Sequence, residues 1–106
     1  MIRHVVLFRF QPGTDGAAVA AMAAALDRLP SSIPEIVTYR HGPDIGAIDT
    51  DWDHVLVAEF RSIRDYRVYE THPDHRAVID RYISPILADV ARIQYDIGEG
   101  AGSPET

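Results

Sequence analysis

Ile2-Arg3-His4-Val5-Val6-Leu7-Phe8-Arg9-Phe10 reads as a β-strand, with His4, Val6, Phe8 and Phe10 alternating against Arg3, Val5, Leu7 and Arg9. Asp53-His54-Val55-Leu56-Val57-Ala58-Glu59-Phe60 repeats the pattern and is the clearest strand in the chain. Inside each lies an unbroken apolar run, Val5 to Phe8 and Val55 to Ala58. A strand wet on one side keeps strict alternation, whereas a continuous apolar run marks burial on both faces. The elements around these two strands must therefore supply two covers.

Outward from the first strand, Gln11-Pro12-Gly13 ends the pairing and Thr14 is the expected N-cap of a helix. That helix carries Val19, Met22, Ala23, Leu26 and Leu29 at helical spacing and is expected to break between Pro30 and Pro34. Glu35 to His41 forms the next strand, followed by a Gly/Pro/Asp-rich loop from Gly42 to Asp51. After the 53–60 strand, Ser62 caps a short helix with Tyr66 and Tyr69, and Thr71-His72-Pro73-Asp74 starts a new one. This second segment carries Val78, Ile79, Tyr82, Ile83, Ile86 and Leu87, with a bend expected at Pro85. A last strand spans Val90 to Ile97, and the Gly/Ser/Pro/Glu tail from Gly98 to Thr106 is expected to be disordered.

The order is β-α-β-β-α-β, an α+β, ferredoxin-like domain over residues 1–97. Right-handed crossovers place both helices on one face of an antiparallel sheet whose centre is the first and third strands. The helices cover one face only. The apolar runs need a second cover, and a second copy of the chain, giving a dimeric α+β barrel, supplies it most simply.

Composition narrows the function. With 106 residues the chain has the size of one domain. Ten basic against sixteen acidic residues give a net charge of −6, which argues against nucleic-acid or anionic-membrane partners. The absence of cysteine excludes a disulfide framework, a thiolate metal site and a cysteine nucleophile. No apolar run reaches the ~20 residues of a membrane span, and a strand pattern starting at once leaves no signal peptide, so a cytoplasmic location is expected.

Three segments together carry a resemblance: Met1-Ile2-Arg3-His4-Val5-Val6-Leu7-Phe8, Trp52-Asp53-His54, and Tyr69-x-x-His72-Pro73-x-His75. They resemble the stress-responsive dimeric A/B barrel (Dabb) family over residues 1 to about 97, and the His-Pro-x-His segment is the most specific of them. The resemblance implies the ferredoxin-like homodimer reached above and a small-molecule ligand or substrate. It leaves two functional classes open, since the family holds non-catalytic stress-response proteins as well as cofactor-free enzymes, among them a plant polyketide cyclase and hydroxynitrile lyases. Similarity to the cyclase implies Tyr69 and His75 as the catalytic pair, His4 and His54 as pocket histidines, and Gln94 at the position that orients the catalytic histidine. Asp96, on the same strand face, is the alternative orienting residue.

The residue types suit that chemistry. Aldol-type cyclisation or retro-addition needs a base near neutral pH and a donor for an oxyanion, roles that histidine and tyrosine fill. His75 in the first turn of a helix should stay neutral beside the positive helix end. Tyr69 and His75 are off-face on a continuous helix; the break at His72-Pro73 is what brings them together. His4 and His54, on one face of adjacent strands and roughly 15 Å apart, suit two ends of an elongated pocket. His72-x-x-His75 has no third ligand, so no metal is expected, and His41 before Gly42-Pro43 reads as a solvated strand-end residue.

Overall fold

A computed structural model describes residues 1–98. The reading of the tail as disordered falls outside the described residues, Gly98 excepted. Strand β1 (Ile2–Phe10) is followed by helix α1 (Gly16–Ser32), β2 (Ile36–Pro43) and β3 (His54–Phe60), then α2 (Ile63–Thr71) and α3 (Pro73–Val78). A π-helical turn, Ile79–Ile83, continues from α3, and β4 (Leu87–Asp96) closes the fold. The sheet order is β2-β3-β1-β4, antiparallel throughout, with β1 and β3 in the middle as the apolar runs require.

The two faces of the sheet differ as the alternation predicts. Val6 and Phe8 on β1 and Leu56, Ala58 and Phe60 on β3 are buried against Met22, Ala25, Leu26, Leu29 and Ile33. Each of these side chains larger than alanine contributes about 1.5–3 kcal/mol by leaving water. On the opposite face Val5 pairs with Val57 and Leu7 with Val55, all four half-buried, with no helix or strand of the described residues above them. Ile93 beside Val5 extends that bare apolar surface and is 64 % exposed.

Four boundaries differ from the sequence reading, each for a local reason. Asp15, not Thr14, caps α1, its carboxylate accepting from the Ala17 N–H at 3.0 Å while the Thr14 hydroxyl turns back to the Gln11 carbonyl. Helix α1 runs through Pro30 to Ser32, because the Ile33 N–H recloses the last turn on the Leu29 carbonyl (3.0 Å) and Ile33 is fully buried. Strand β2 continues to Pro43, paired down to His54, and β4 starts at Leu87, reached through a bulge between Arg9 and Phe10. Pro85 bends no helix. The helical stretch ends at Ile83 with an i→i−5 bond from Ser84 N–H to the Ile79 carbonyl (2.8 Å), and Pro85 lies beyond it. The cap at Ser62 is as expected, its hydroxyl accepting from the Asp65 N–H. The second helix does start at His72-Pro73, with His72 as the cap, its Nδ1 accepting from the Asp74 N–H, while the Thr71 hydroxyl donates back to the Arg67 carbonyl.

Candidate active site

Between the helix-facing side of β1 and β4 and the helical stretch 66–83 lies a cavity of about 120 Å³. Its apolar wall is built from Val6, Phe8, Leu26, Leu56, Ile79 and Ile83; its polar groups are His4, Tyr66, Tyr69 and His75, with Glu70, Arg76 and Arg92 at the rim. The π-helical turn supplies two of the wall residues, and such turns recur at functional sites.

The break at His72-Pro73 does bring Tyr69 and His75 together. Their rings lie 4.1 Å apart, centroid to centroid, at 31°. The Nδ1 of His75 is 3.1 Å from the Glu70 backbone carbonyl. A carbonyl only accepts, so Nδ1 carries the proton and Nε2 keeps its lone pair. Burial lowers the His75 pKa, with Arg76 adding to it, so the ring is neutral at pH 7. The residue is thus a base in the right tautomer. Its neutrality comes first from burial, where the sequence pointed to the helix end.

Tyr69 is 2 % exposed, and its hydroxyl lies 2.8 Å from that of Tyr39. Burial raises the pKa of both phenols, that of Tyr69 to about 12, so both stay protonated. Tyr39 does not line the cavity and Tyr69 does. With Tyr39 donating to the Tyr69 oxygen, the Tyr69 proton is free for a ligand.

His4 is the second buried imidazole of the cavity, 4.9 Å from the Tyr66 ring and 6.2 Å from the Tyr69 ring. Its Nδ1 faces the Gln94 side-chain amide nitrogen at 2.8 Å. An amide N–H donates, so the neutral ring carries its proton on Nε2. Burial, reinforced by His75 and Arg92, pushes the His4 pKa down to about 4. Of the side chains that line the cavity, His75 thus keeps a lone pair on Nε2, His4 carries its proton on Nε2, and Tyr69 has a free O–H when Tyr39 donates to it.

Three sequence expectations are corrected. Gln94 does not orient His75; the β1–β4 register sets it directly opposite His4, which it holds instead. Asp96 does not orient His75 either, since it pairs opposite Ile2 and lies 3.6 Å from the N-terminal ammonium. His54 does not share the cavity with His4. It lies opposite Phe8, whose ring stands edge-on to it at 5.9 Å and forms the cavity wall on the other side. The Nε2 of His54 is instead 3.1 Å from His41 Nδ1, and His41 Nε2 is 2.6 Å from the Asp27 carboxylate.

His41 is therefore no solvated strand end. Because β2 extends to Pro43, His41 sits inside a strand opposite Leu56, its side chain only 9 % exposed. The sequence signal for this was available: His41 and His54 flank a loop between two strands, so hairpin pairing carried one turn further would have joined them. In the neutral tautomers the chain runs from His54 to His41 to Asp27, leaving His54 Nδ1 buried with no protein partner among the described residues. Also among the described residues, no group of three or more His, Cys, Asp or Glu side chains is arranged to hold a metal ion.

A ferredoxin-like α+β domain with a histidine–tyrosine cavity beneath its helices is the class of protein that fold and site define. The chain belongs to the Stress responsive A/B Barrel Domain (Dabb) family, whose family model matches residues 2–97. It is 27 % identical over 97 residues to a stress-response A/B barrel domain-containing protein of Arabidopsis thaliana, covering 90 % of this chain and 36 % of that protein. The chain thus spans about a third of the length of that relative. Among solved structures it is similar to a dimeric ferredoxin-like protein of unknown function from Thermobifida fusca YX, at 37 % identity and TM-score 0.81, covering 89 % of this chain and 88 % of that one. The hydroxynitrile lyase of Passiflora edulis has the same fold at 19 % identity and TM-score 0.81, with 93 % and 94 % of the two chains covered.

Proposed function

We propose that the protein is a lyase or cyclase that moves a proton on a small carbonyl compound, without a cofactor, in the cavity between His4, Tyr69 and His75. The observation that carries this reading is the setting of His75: Nδ1 lies 3.1 Å from the Glu70 carbonyl, which can only accept, so the lone pair falls on Nε2 of a ring packed 4.1 Å from that of Tyr69. In the retro-addition direction, His75 Nε2 takes the hydroxyl proton of the adduct. The C–O bond becomes a carbonyl while the C–C bond breaks, its electron pair leaving with the carbanion fragment, cyanide or an enolate. The imidazolium then returns the proton to that fragment. Tyr69 O–H and His4 Nε2–H donate to the oxygen while it is negative, a role whose donors are typically worth about 10²–10³ in rate. The lyase similarity in fold supports this direction of chemistry. The volume supports a small substrate, since a ~150 Å³ apolar cavity takes a benzene ring.

One feature favours a second reading, a ligand-binding dimer with no turnover. His75 Nδ1 is held by a neutral carbonyl rather than a carboxylate, so an imidazolium there has no hydrogen-bonded counter-charge, only the through-space field of the rim carboxylate Glu70. The test is formation of aldehyde or ketone from a panel of aromatic cyanohydrins and β-hydroxy ketones. Turnover that disappears in His75→Ala supports the lyase, and binding of the panel without turnover by the wild type supports the binder.

The same reading includes a homodimer through the bare face of Val5, Leu7, Val55 and Val57, in keeping with the dimeric neighbour of 37 % identity. Val57→Asp would place an unpaired charge in that interface, at a cost on the order of 3–5 kcal/mol. In analytical ultracentrifugation the wild type should sediment as a dimer and the variant as a monomer; a monomeric, folded wild type would contradict the assignment.

A further inference from the structure

We propose that the mouth of the cavity is a carboxylate-binding site formed by Arg76 and Arg92, so that the compound bound there is a small apolar or aromatic carbonyl compound carrying one carboxylate. This deepens the proposed function and rests on it for the identity of the reacting group. The carboxylate site itself rests on the placement of the two arginines.

Arg92 faces the helices from the edge strand β4, where it is exposed at the mouth of the cavity. It pairs opposite Val6, between Val90 and Gln94 on the helix-facing side of β4, and lines the cavity. A charge at an inner-face position of a sheet is a local conflict that functional sites tolerate. Arg76 reaches the same rim from α3, next to His75. On the sheet's other face Arg3 and Arg9 are paired with Glu59 and Asp89, while Arg40, opposite Val57, makes no salt bridge among the described residues. Arg76 and Arg92 make no salt bridge among the described residues. The field of the pair reaches into the cavity: Arg92 acts on His4 and Arg76 on His75, each disfavouring the protonated ring.

The rim also carries one carboxylate, Glu70, which acts on His75 in the opposite sense. Two guanidinium groups and one carboxylate leave a net single positive charge at the mouth, on a chain whose total is −6. That balance matches a monoanion, and the planar fork of arginine matches a carboxylate. A ligand anchored there would have its apolar body against Val6, Leu56 and Ile79, with its reacting carbon toward Tyr69 and His75.

Benzoate, benzyl alcohol and phenyl phosphate share a ring and differ in the charge they present, so they test the site on the wild-type protein by NMR titration of the His75 and Gln94 side-chain resonances. Benzoate should bind at least about tenfold more tightly than benzyl alcohol at low salt, and the advantage should fall at ~1 M salt, where screening is nearly complete. Arg92→Gln and Arg76→Gln should each weaken benzoate by about fivefold and leave benzyl alcohol unchanged, while Glu70→Gln should tighten benzoate. Gln keeps most of the stem, and the Glu70→Gln gain cannot arise from misfolding. Benzyl alcohol binding as tightly as benzoate, phenyl phosphate binding more tightly than benzoate, no binding of any probe, or folded arginine variants with unchanged affinity would each overturn the proposal. Benzoate has no proton for His75 to remove, so its failure would leave the lyase reading to its own assay.

Discussion

The helix-facing side of the sheet carries buried histidines at two ends, and the two ends are wired differently. At one, His4 and His75 each spend a single ring nitrogen, on Gln94 and on the Glu70 carbonyl, and both line the cavity. At the other, His54 is joined through His41 to Asp27, and the Phe8 ring separates it from that cavity. Residue type, burial and strand face are the same at both ends: His4 and His54 are each 4 % exposed. What differs is what stands in front of the ring. His4 and His75 line the cavity with Tyr69, whereas His54 lies behind Phe8, its Nδ1 buried without a partner among the described residues, beside a separate cleft with Leu7, Trp52 and Val55. A buried histidine therefore becomes a candidate catalyst through the space in front of it, and the same residue closed into a chain to a surface carboxylate ties α1, β2 and β3 together.

The two ends should part most visibly in turnover. His75→Ala should lower turnover of a cyanohydrin or β-hydroxy ketone by about 10²–10⁴-fold, the usual contribution of a positioned base, with the thermal midpoint little changed. Tyr69→Phe should cost about 10²–10³-fold by removing the oxyanion donor while keeping the ring. At the other end, His54→Ala should cost on the order of 1–3 kcal/mol of stability, as loss of a buried hydrogen-bonded group does, with turnover per folded protein close to wild type. Chemical denaturation alongside steady-state rates separates these outcomes. A His54 variant that folds fully yet loses turnover would join the two ends into one site.

Stability against pH reports on both ends together. The folded His4 has a pKa near 4 against an ordinary value of 6.5. Between these values the unfolded chain binds a proton that the folded chain does not, so stability present above pH 6.5 is lost as pH falls toward 4. The loss from His4 is on the order of 3 kcal/mol, and the lowered values of His54 and His75 add to it in the same direction. Urea melts from pH 7 to pH 4 should show this slope, reduced in His4→Leu. The smallest effect is expected at Asp27, whose carboxylate is 70 % exposed: Asp27→Asn should change stability by less than about 1 kcal/mol.

Most of the fold was legible in the sequence because alternation and helical periodicity report burial directly. Val5 to Phe8 and Val55 to Ala58 located the central strands and the bare second face, and Ser62 and His72-Pro73 marked the helix starts. Thr14 and Pro30 misled, since a cap is chosen by hydrogen-bond geometry and a proline near a helix end is tolerated when buried Leu29 and Ile33 hold the turn. The pairing of Tyr69 with His75 followed from the helix break. The partners of His4, His41 and His54 did not, because they depend on strand register: one residue of slip would have moved Gln94 off His4, and two more paired residues in β2 brought His41 inward. Arg92 escaped notice for the same reason, since only the register with β1 shows that it faces the helices.

The catalytic reading of the cavity turns on His75 being a neutral base with its lone pair on Nε2, a state that the ¹⁵N chemical shifts of its ring report across a pH titration. The Nδ1–H tautomer is expected at pH 7, with a midpoint below the ordinary 6.5. An Nε2–H tautomer, or a ring that stays protonated well above pH 7, would show a ring that cannot take the substrate's proton, and the catalytic reading would fall with it.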